Sequence, residues 1–174
     1  SALFGVGYVV VRYRKNGVLK RMSVTPLKPY EFLTSQIISR MFIIIVATSF
    51  VYTGCAVLYD FKCAGSYFNL ALVFILGAFS MISMGLLVAC RSSSEEFASG
   101  LLNFLTWPMM FLSEVWFSLE GSTPWVKKVA MIFPLTHMIT GARKIMNDGA
   151  GFAEIRVQVF FLFAMSAVFL TIGS

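Results

Sequence analysis

Charged residues divide this chain into long apolar runs. Between Glu31 and Asp60 the only charge is Arg40, and between Lys62 and Arg91 there is none. A shorter uncharged stretch runs from Glu96 to Glu114, and Val115 to Leu119 extend it. After Arg156 the chain is uncharged to its end. A membrane-crossing helix needs about 20 apolar residues, with about 17 as the lower limit. The pattern therefore predicts spans at 32–58, 67–90, 97–119 and 157–174, with a short apolar stump at 1–11. The run from Val129 to Ala142 is too short to cross and contains Pro134. It predicts a re-entrant or interfacial segment.

Local punctuation agrees with these spans. Lys28 precedes Pro29 and is pushed towards extended backbone. Pro29 suits a first helical position, with Glu31 in the first turn near the positive helix end. Ser92 with Glu95, or Ser93 with Glu96, has the spacing of a capping box before the span at 97–119. Thr123-Pro124 predicts the start of a short helix through Phe133, and Asn147-Asp148-Gly149 a turn before the last span.

Composition fixes the solvent. Of 174 residues, 58% are hydrophobic and 13% charged, and the mean hydropathy is +0.81. A domain of this size has too little interior to hide so much apolar side chain from water. The fold class expected is all-α, a polytopic membrane helix bundle forming one transmembrane domain over 1–174. The chain opens on Ser1 inside an apolar run and ends while still apolar, so a piece of a longer protein is expected. Cys55, Cys63 and Cys90 are irregularly spaced and read as packed thiols rather than a metal or disulfide framework.

Charge orients the bundle. The loop 12–28 holds Arg12, Arg14, Lys15, Lys20, Arg21 and Lys28 with no acid, which places it in the cytoplasm. Counting spans then puts 91–96 inside and 120–156 outside. Adding Arg40 and Arg91, eight basic residues lie inside against six outside. The totals discriminate little, and the acid-free loop sets the orientation.

Reaction chemistry is missing from the pattern. There is no P-loop, no H-E-x-x-H, no paired-cysteine motif and no Ser/His/Asp set. The lone His137 reads as a packed or hydrogen-bonded side chain. No catalytic residue and no metal ligand is expected. The informative feature is Asn16 to Val24. On a helix, Val18, Leu19 and Met22 share one face while Lys20 and Arg21 point elsewhere. Such a segment lies on anionic headgroups as a topology signal, or docks into a groove on a cytoplasmic partner.

Gly17-Val18-Leu19-Lys20-Arg21-Met22, then Thr25-Pro26-Leu27 and Pro29-Tyr30-Glu31-Phe32-Leu33, resemble the loop between the second and third spans of ABC-2 type transporter permeases. Trp107-Pro108-Met109-Met110-Phe111-Leu112-Ser113, Thr123-Pro124-Trp125-Val126, Phe133-Pro134-Leu135-Thr136-His137 and Ala142-Arg143 resemble that family's fifth span and the outer segment after it. The matches come in family order and cover most of the chain. The resemblance implies a six-span fold, held here from the end of span two through span six. It implies a second permease half and two ATP-binding cassette subunits or domains, which would hold ATP and Mg; this chain would bind no cofactor and no nucleic acid. It places a coupling helix in 12–28, at Gly17, Val18, Leu19, Lys20, Arg21 and Met22. The path would run along 1–11 and 97–119, and an outer gate within 120–151. One departure is clear. The family's Ser-Gly-aromatic-Pro near the end of span five is replaced by Ser113-Glu114-Val115-Trp116-Phe117-Ser118, without the Gly and the Pro.

Individual residues sharpen the expectation. Glu114 sits late in its span, where a carboxylate can pair with Lys127 or Arg143 or set a gate with Trp116 and Pro134. Phe104, Thr106, Trp107 and Met110 are the candidate path residues. Asn103 accompanies them, Pro108 frees a carbonyl, and Phe111 and Met109 add soft apolar surface. Arg40 can snorkel from its helix, and Gly85 with Ala89 forms a small-xxx-small pair for close packing. The function expected is a permease of an ATP-driven exporter in a plasma or bacterial inner membrane, moving cargo by alternating access without being an enzyme itself. Drug, lipid, glycolipid, polysaccharide and peptide cargo all fit. The alternative is a non-ATPase secondary transporter or a membrane scaffold protein; a secondary transporter needs partnered ionisable groups near the midplane, and Arg40, Glu114 and Arg156 all fall near interfaces.

Overall fold

The computed structural model describes residues 9–12, 29–59, 64–92, 94–113 and 123–173. Among the described residues there is no strand. Residues 9–12 are helical, and six longer or shorter helices follow: α1 (Pro29–Tyr59), α2 (Tyr67–Arg91), α3 (Glu95–Leu112), α4 (Pro124–Ala130), α5 (Pro134–Asp148) and α6 (Phe152–Gly173). The chain is an all-α membrane helix bundle. Among the described residues, three stretches are long and apolar enough to cross a membrane: Thr34–Leu58, Tyr67–Arg91 and Phe152–Gly173. They coincide with three of the four expected spans. The fourth falls on α3, which is helical to Leu112; residues 114–120 lie outside the described set. The loop 12–28 also lies outside it, apart from Arg12.

Proline and glycine set most boundaries as expected. Pro29 opens α1, Pro124 opens α4, and Gly149 ends α5 in the left-handed region at φ 66. That conformation is open to glycine at no steric cost, and Ala150 N–H then donates to the Lys144 carbonyl at 3.1 Å. Three boundaries differ from expectation. The cap of α3 is Ser94, whose Oγ accepts from Phe97 N–H at 3.1 Å. Ser92 instead closes α2, its hydroxyl donating to the Val88 carbonyl at 2.6 Å. With Glu95 first in the helix, the third position is Phe97, so no carboxylate completes a capping box; Glu95 and Glu96 face the positive helix end instead. Helix α4 stops at Ala130 rather than Phe133, because Phe133 precedes Pro134 and is extended (φ −93, ψ 131). Helix α6 begins at Phe152, earlier than 157, and takes the exposed Glu154 and Arg156 into its first turns.

Helix α2 is the axis. It packs against α6, α5, α1 and α3, and it carries more buried positions than any other described helix. In lipid there is little hydrophobic drive between helices, so contact depends on small residues and close fit. Ser80, Ser83, Gly77, Ala78, Gly85 and Ala89 of α2 are all buried, and the Ser83 hydroxyl donates to its own helix at Phe79. Glycines record the directions of the neighbours. Gly77 lies against Met138, Val73 against Gly141, and Gly65 against Ile145, so α5 runs antiparallel to α2. Gly141 also borders Gln158, while Gly173 lies against Leu87, so α6 runs parallel to α2. Phe133 and Leu135 pack on the cluster of Met84, Val88, Leu102 and Met109. Met84 stands about 25 Å along α2 from Tyr67. Helix α5 thus starts deep in the bundle and returns to the end where α2 begins. At the other end Val10 and Val11 are buried against Ile82, Leu86, Ala89 and Ala98.

The most rigid of these contacts gives a direct test. A Cβ at Gly65 would stand 2.6 Å from the Ile145 carbonyl oxygen, a backbone atom that cannot rotate away. Gly65→Ala should destabilise the transporter by about 1–3 kcal/mol, as overpacking does. Gly100 on α3 has nothing within 4 Å of the same position, so Gly100→Ala should be neutral or gain about 0.5–1 kcal/mol. Thermal unfolding in detergent reads both; equal midpoints for the two variants would contradict the packing described.

Candidate functional site

Helix α3 has two unlike faces. Ala98, Leu102 and Met109 are buried against the bundle. On the opposite side Phe97, Phe104, Trp107 and Phe111, spaced seven, three and four residues apart, are exposed. Phe104 is 72% and Trp107 63% exposed, so most of each ring is open. Trp107 and Phe111 stack on each other at 6.2 Å between centroids and 25° between planes. The result is one continuous aromatic strip with Gly100 as a flat place in it.

The polar groups of α3 are mostly turned onto its own backbone. Thr106 Oγ1 donates to the Leu102 carbonyl at 2.6 Å, and Asn103 Nδ2 to the Ser99 carbonyl at 3.0 Å. Pro108 lies within the helix and has no N–H, so the Phe104 carbonyl lacks its usual helical donor. An acceptor therefore sits on the aromatic side. The structure separates the four candidate path residues. Phe104 and Trp107 share the exposed strip. Thr106 is half-buried with its hydroxyl engaged, and Met110 is half-buried on the flank. Met109, also considered as soft surface, faces the core at 1% exposure.

A second constellation lies at the break between α4 and α5. Pro134 opens α5 and is fully buried. His137 is 8% exposed; its ring stacks on Phe161 of α6 at 4.9 Å and 9°. Its Nε2 lies 2.8 Å from the Met131 carbonyl oxygen. A carbonyl only accepts, so Nε2 carries the proton. His137 thus ties the turn after α4 to the body of α5 and to α6. The lone histidine is a packed, hydrogen-bonded side chain, as its isolation in the sequence suggests. Ser113, at the end of α3, donates to the Met109 carbonyl, and its Oγ lies 3.2 Å from Thr136 Oγ1. That contact joins the end of α3 to the start of α5. Sequence reasoning missed it, together with Phe97, Phe161 and the Met131 carbonyl; only the spacing of Phe97, Phe104 and Phe111 carried a readable signal.

The remaining candidates, Gly17, Val18, Leu19, Lys20, Arg21, Met22, Glu114 and Trp116, lie outside the described residues.

Comparison with known proteins bears on what such surfaces do. The family model described as ABC-2 family transporter protein matches residues 1–174. The inner membrane transport permease YhhJ of Escherichia coli (strain K12) is 27% identical over 180 residues, covering 99% of this chain and 46% of that protein. The daunorubicin resistance ABC transporter permease protein DrrB1 of Streptomyces coeruleorubidus is 23% identical over 158 residues, covering 88% of this chain and 55% of that protein. The chain spans about half the length of these relatives. No solved structure matches it.

The His137 contacts predict a graded response. His137→Ala loses the hydrogen bond and the ring stack, which together contribute about 1–3 kcal/mol. His137→Gln keeps a donor and loses only the stack. Chemical unfolding in detergent should rank wild type above His137→Gln and His137→Gln above His137→Ala. An alanine variant as stable as wild type would mean that the histidine holds nothing.

Proposed function

From its membership of the ABC-2 family of transporter proteins, to which this chain belongs, we propose that it forms the permease part of an ATP-driven exporter working by alternating access. Membership makes the chain a multi-pass membrane transport permease; the rest of the reading concerns how it is driven and where cargo moves. The observation that carries it is the exposed aromatic strip of α3, on the segment that resembles the family's fifth span. A second permease half, identical or related, faces this strip and completes the path with it. Aromatic rings and the Phe104 carbonyl make an apolar wall with an isolated acceptor, suited to apolar or amphipathic cargo.

ATP and Mg bind to the cassette partner, whose hydrolysis supplies the driving force. This chain's own residues transmit and gate. In the cytoplasmic loop 12–28, Gly17 to Met22 dock on the partner, with Val18, Leu19 and Met22 as the apolar face and Lys20 and Arg21 beside it. The region 120–151 is extracytoplasmic and re-entrant. Its gate is made by Glu114, Trp116 and Pro134, and the Ser113–Thr136 contact couples the end of α3 to the break at Pro134. A shift of α3 then reaches the gate through one short contact rather than through the whole bundle.

Two variants separate the roles. Replacing Val18, Leu19 and Met22 together by Asp should abolish transport-coupled ATPase stimulation while membrane insertion persists; unchanged stimulation would contradict the docking role. Trp107→Ala should lower export about tenfold, near 1.4 kcal/mol, while leaving thermal stability unchanged, because the ring is 63% exposed and stacks on the exposed Phe111. Full export by Trp107→Ala would remove the strip from the path.

A further inference from the structure

Helices α1 and α2 and the last turns of α5 enclose a cleft of about 400 Å³. No residue of α3 lines it, so it is separate from the aromatic strip. Its deep end is walled by Ile45, Phe74 and Ile75, and its mouth, beside the α1–α2 connection, by Tyr52, Thr53 and Tyr67. Ala142 and Met146 of α5 close the third side. The volume falls within the range of about 300–1,000 Å³ typical of small-molecule sites.

Its surroundings name the occupant. The open side continues onto α1, whose stretch Thr34–Leu58 is apolar and has no buried residue. An apolar spanning surface of this kind is suited to lipid, and the cleft is an indentation in it. The end at Ile45, Phe74 and Ile75 is hydrocarbon; the polar lining is Thr48 and Ser49 further along α1 and, at the mouth, Tyr67, Tyr52 and Thr53, whose Oγ1 donates to the Ser49 carbonyl at 2.7 Å. Left empty, the walls would forfeit dispersion contacts on one side. Isoleucine and phenylalanine wall one end, and the exposed Tyr67 and Thr53 stand at the other. There Tyr52 and Tyr67 meet edge to face at 6.1 Å, and paired tyrosines are suited to the headgroup level. Arg143 follows Ala142, about 100° further round α5, and is exposed. It brings positive charge to the same end of the bundle, where a phosphate would lie.

We propose that this cleft binds one acyl chain of a membrane phospholipid, with the tail against Ile45, Phe74 and Ile75 and the glycerol and phosphate at the tyrosine mouth. The bound chain fills the gap between α1 and α5, two helices that otherwise meet through α2. It is a structural lipid site, distinct from the cargo path proposed above, and does not depend on that path being correctly placed.

The test uses the complete transporter in liposomes containing a phospholipid with a diazirine in its acyl chain. Adducts after illumination are mapped by mass spectrometry. Adducts should be at least fivefold denser on 45–53 and 67–75 than around Phe160 and Phe163, which are exposed on α6 and do not line this cleft. Ala71→Trp and Ala142→Phe fill the cleft from different walls. Each should remove that excess while leaving the α6 adducts unchanged. Retained α6 labelling and monodisperse elution identify a folded variant, and if one variant misfolds the other decides. Equal labelling of cleft and α6 in the wild type would reduce the lipid to an ordinary bilayer contact and overturn the proposal. So would an excess that survives both fillings, or an unlabelled cleft because another segment of the transporter covers it.

Discussion

The close approach of α2 and α5 organises the described part of this protein. Three glycines permit it: Gly65 opposite Ile145, Gly77 opposite Met138 and Gly141 opposite Val73. In water such helices would be driven together by their apolar faces. In lipid that drive is largely absent, and association rests on van der Waals fit. A helix without side chains at the right places can be approached at backbone distance, and every atom pair then adds a little dispersion. Helix α5 is amphipathic and too short to cross, so this seat is what keeps it within the bundle.

The rest of the arrangement follows. Once α5 occupies one side of α2, α6 must return beside both, and the turn 149–151 makes this possible with Gly149 in the left-handed region. Helix α3 then reaches the group through Ala98, Leu102 and Met109 and leaves its aromatic side uncovered. Helix α1 packs on α2 and leaves beside it the cleft bounded by α5. Two open surfaces result from one closed one. The aromatic strip faces outward from α3, and the cleft opens between α1, α2 and α5. They share no residue, so cargo movement and lipid binding need not compete.

Much of this was legible in the sequence, because charge spacing and proline chemistry act locally. The long uncharged runs set three spans, and Pro29, Pro124, Pro134 and Gly149 punctuate helices by restricting or permitting backbone angles at single residues. The cap of α3 was misread because three serines, Ser92, Ser93 and Ser94, compete for one role, and the choice depends on Ser92 being engaged by α2. Gly85 and Ala89, a small-xxx-small pair suited to close packing, are both buried. The glycines that seat α5 were not legible, because Gly65, Gly77 and Gly141 belong to no local pattern; they matter only once two distant segments are side by side. The candidate path suffered the same limit. Phe104, Thr106, Trp107 and Met110 are neighbours in sequence, but which face meets the bundle is decided by Leu102 and Met109 packing on Met84 and Val88.

The central claim is that α5 returns to the end of the bundle from which α2 starts, so that the α4–α5 pair enters and leaves by one face. Single cysteines at exposed Lys127 and exposed Asp148, introduced as Lys127→Cys and Asp148→Cys into an otherwise cysteine-free transporter, test it directly with a membrane-impermeant thiol reagent on sealed, oriented vesicles. The account predicts that both label from the same, extracytoplasmic side. Labelling of the two positions from opposite sides would mean that the segment between them crosses the membrane, and would contradict it.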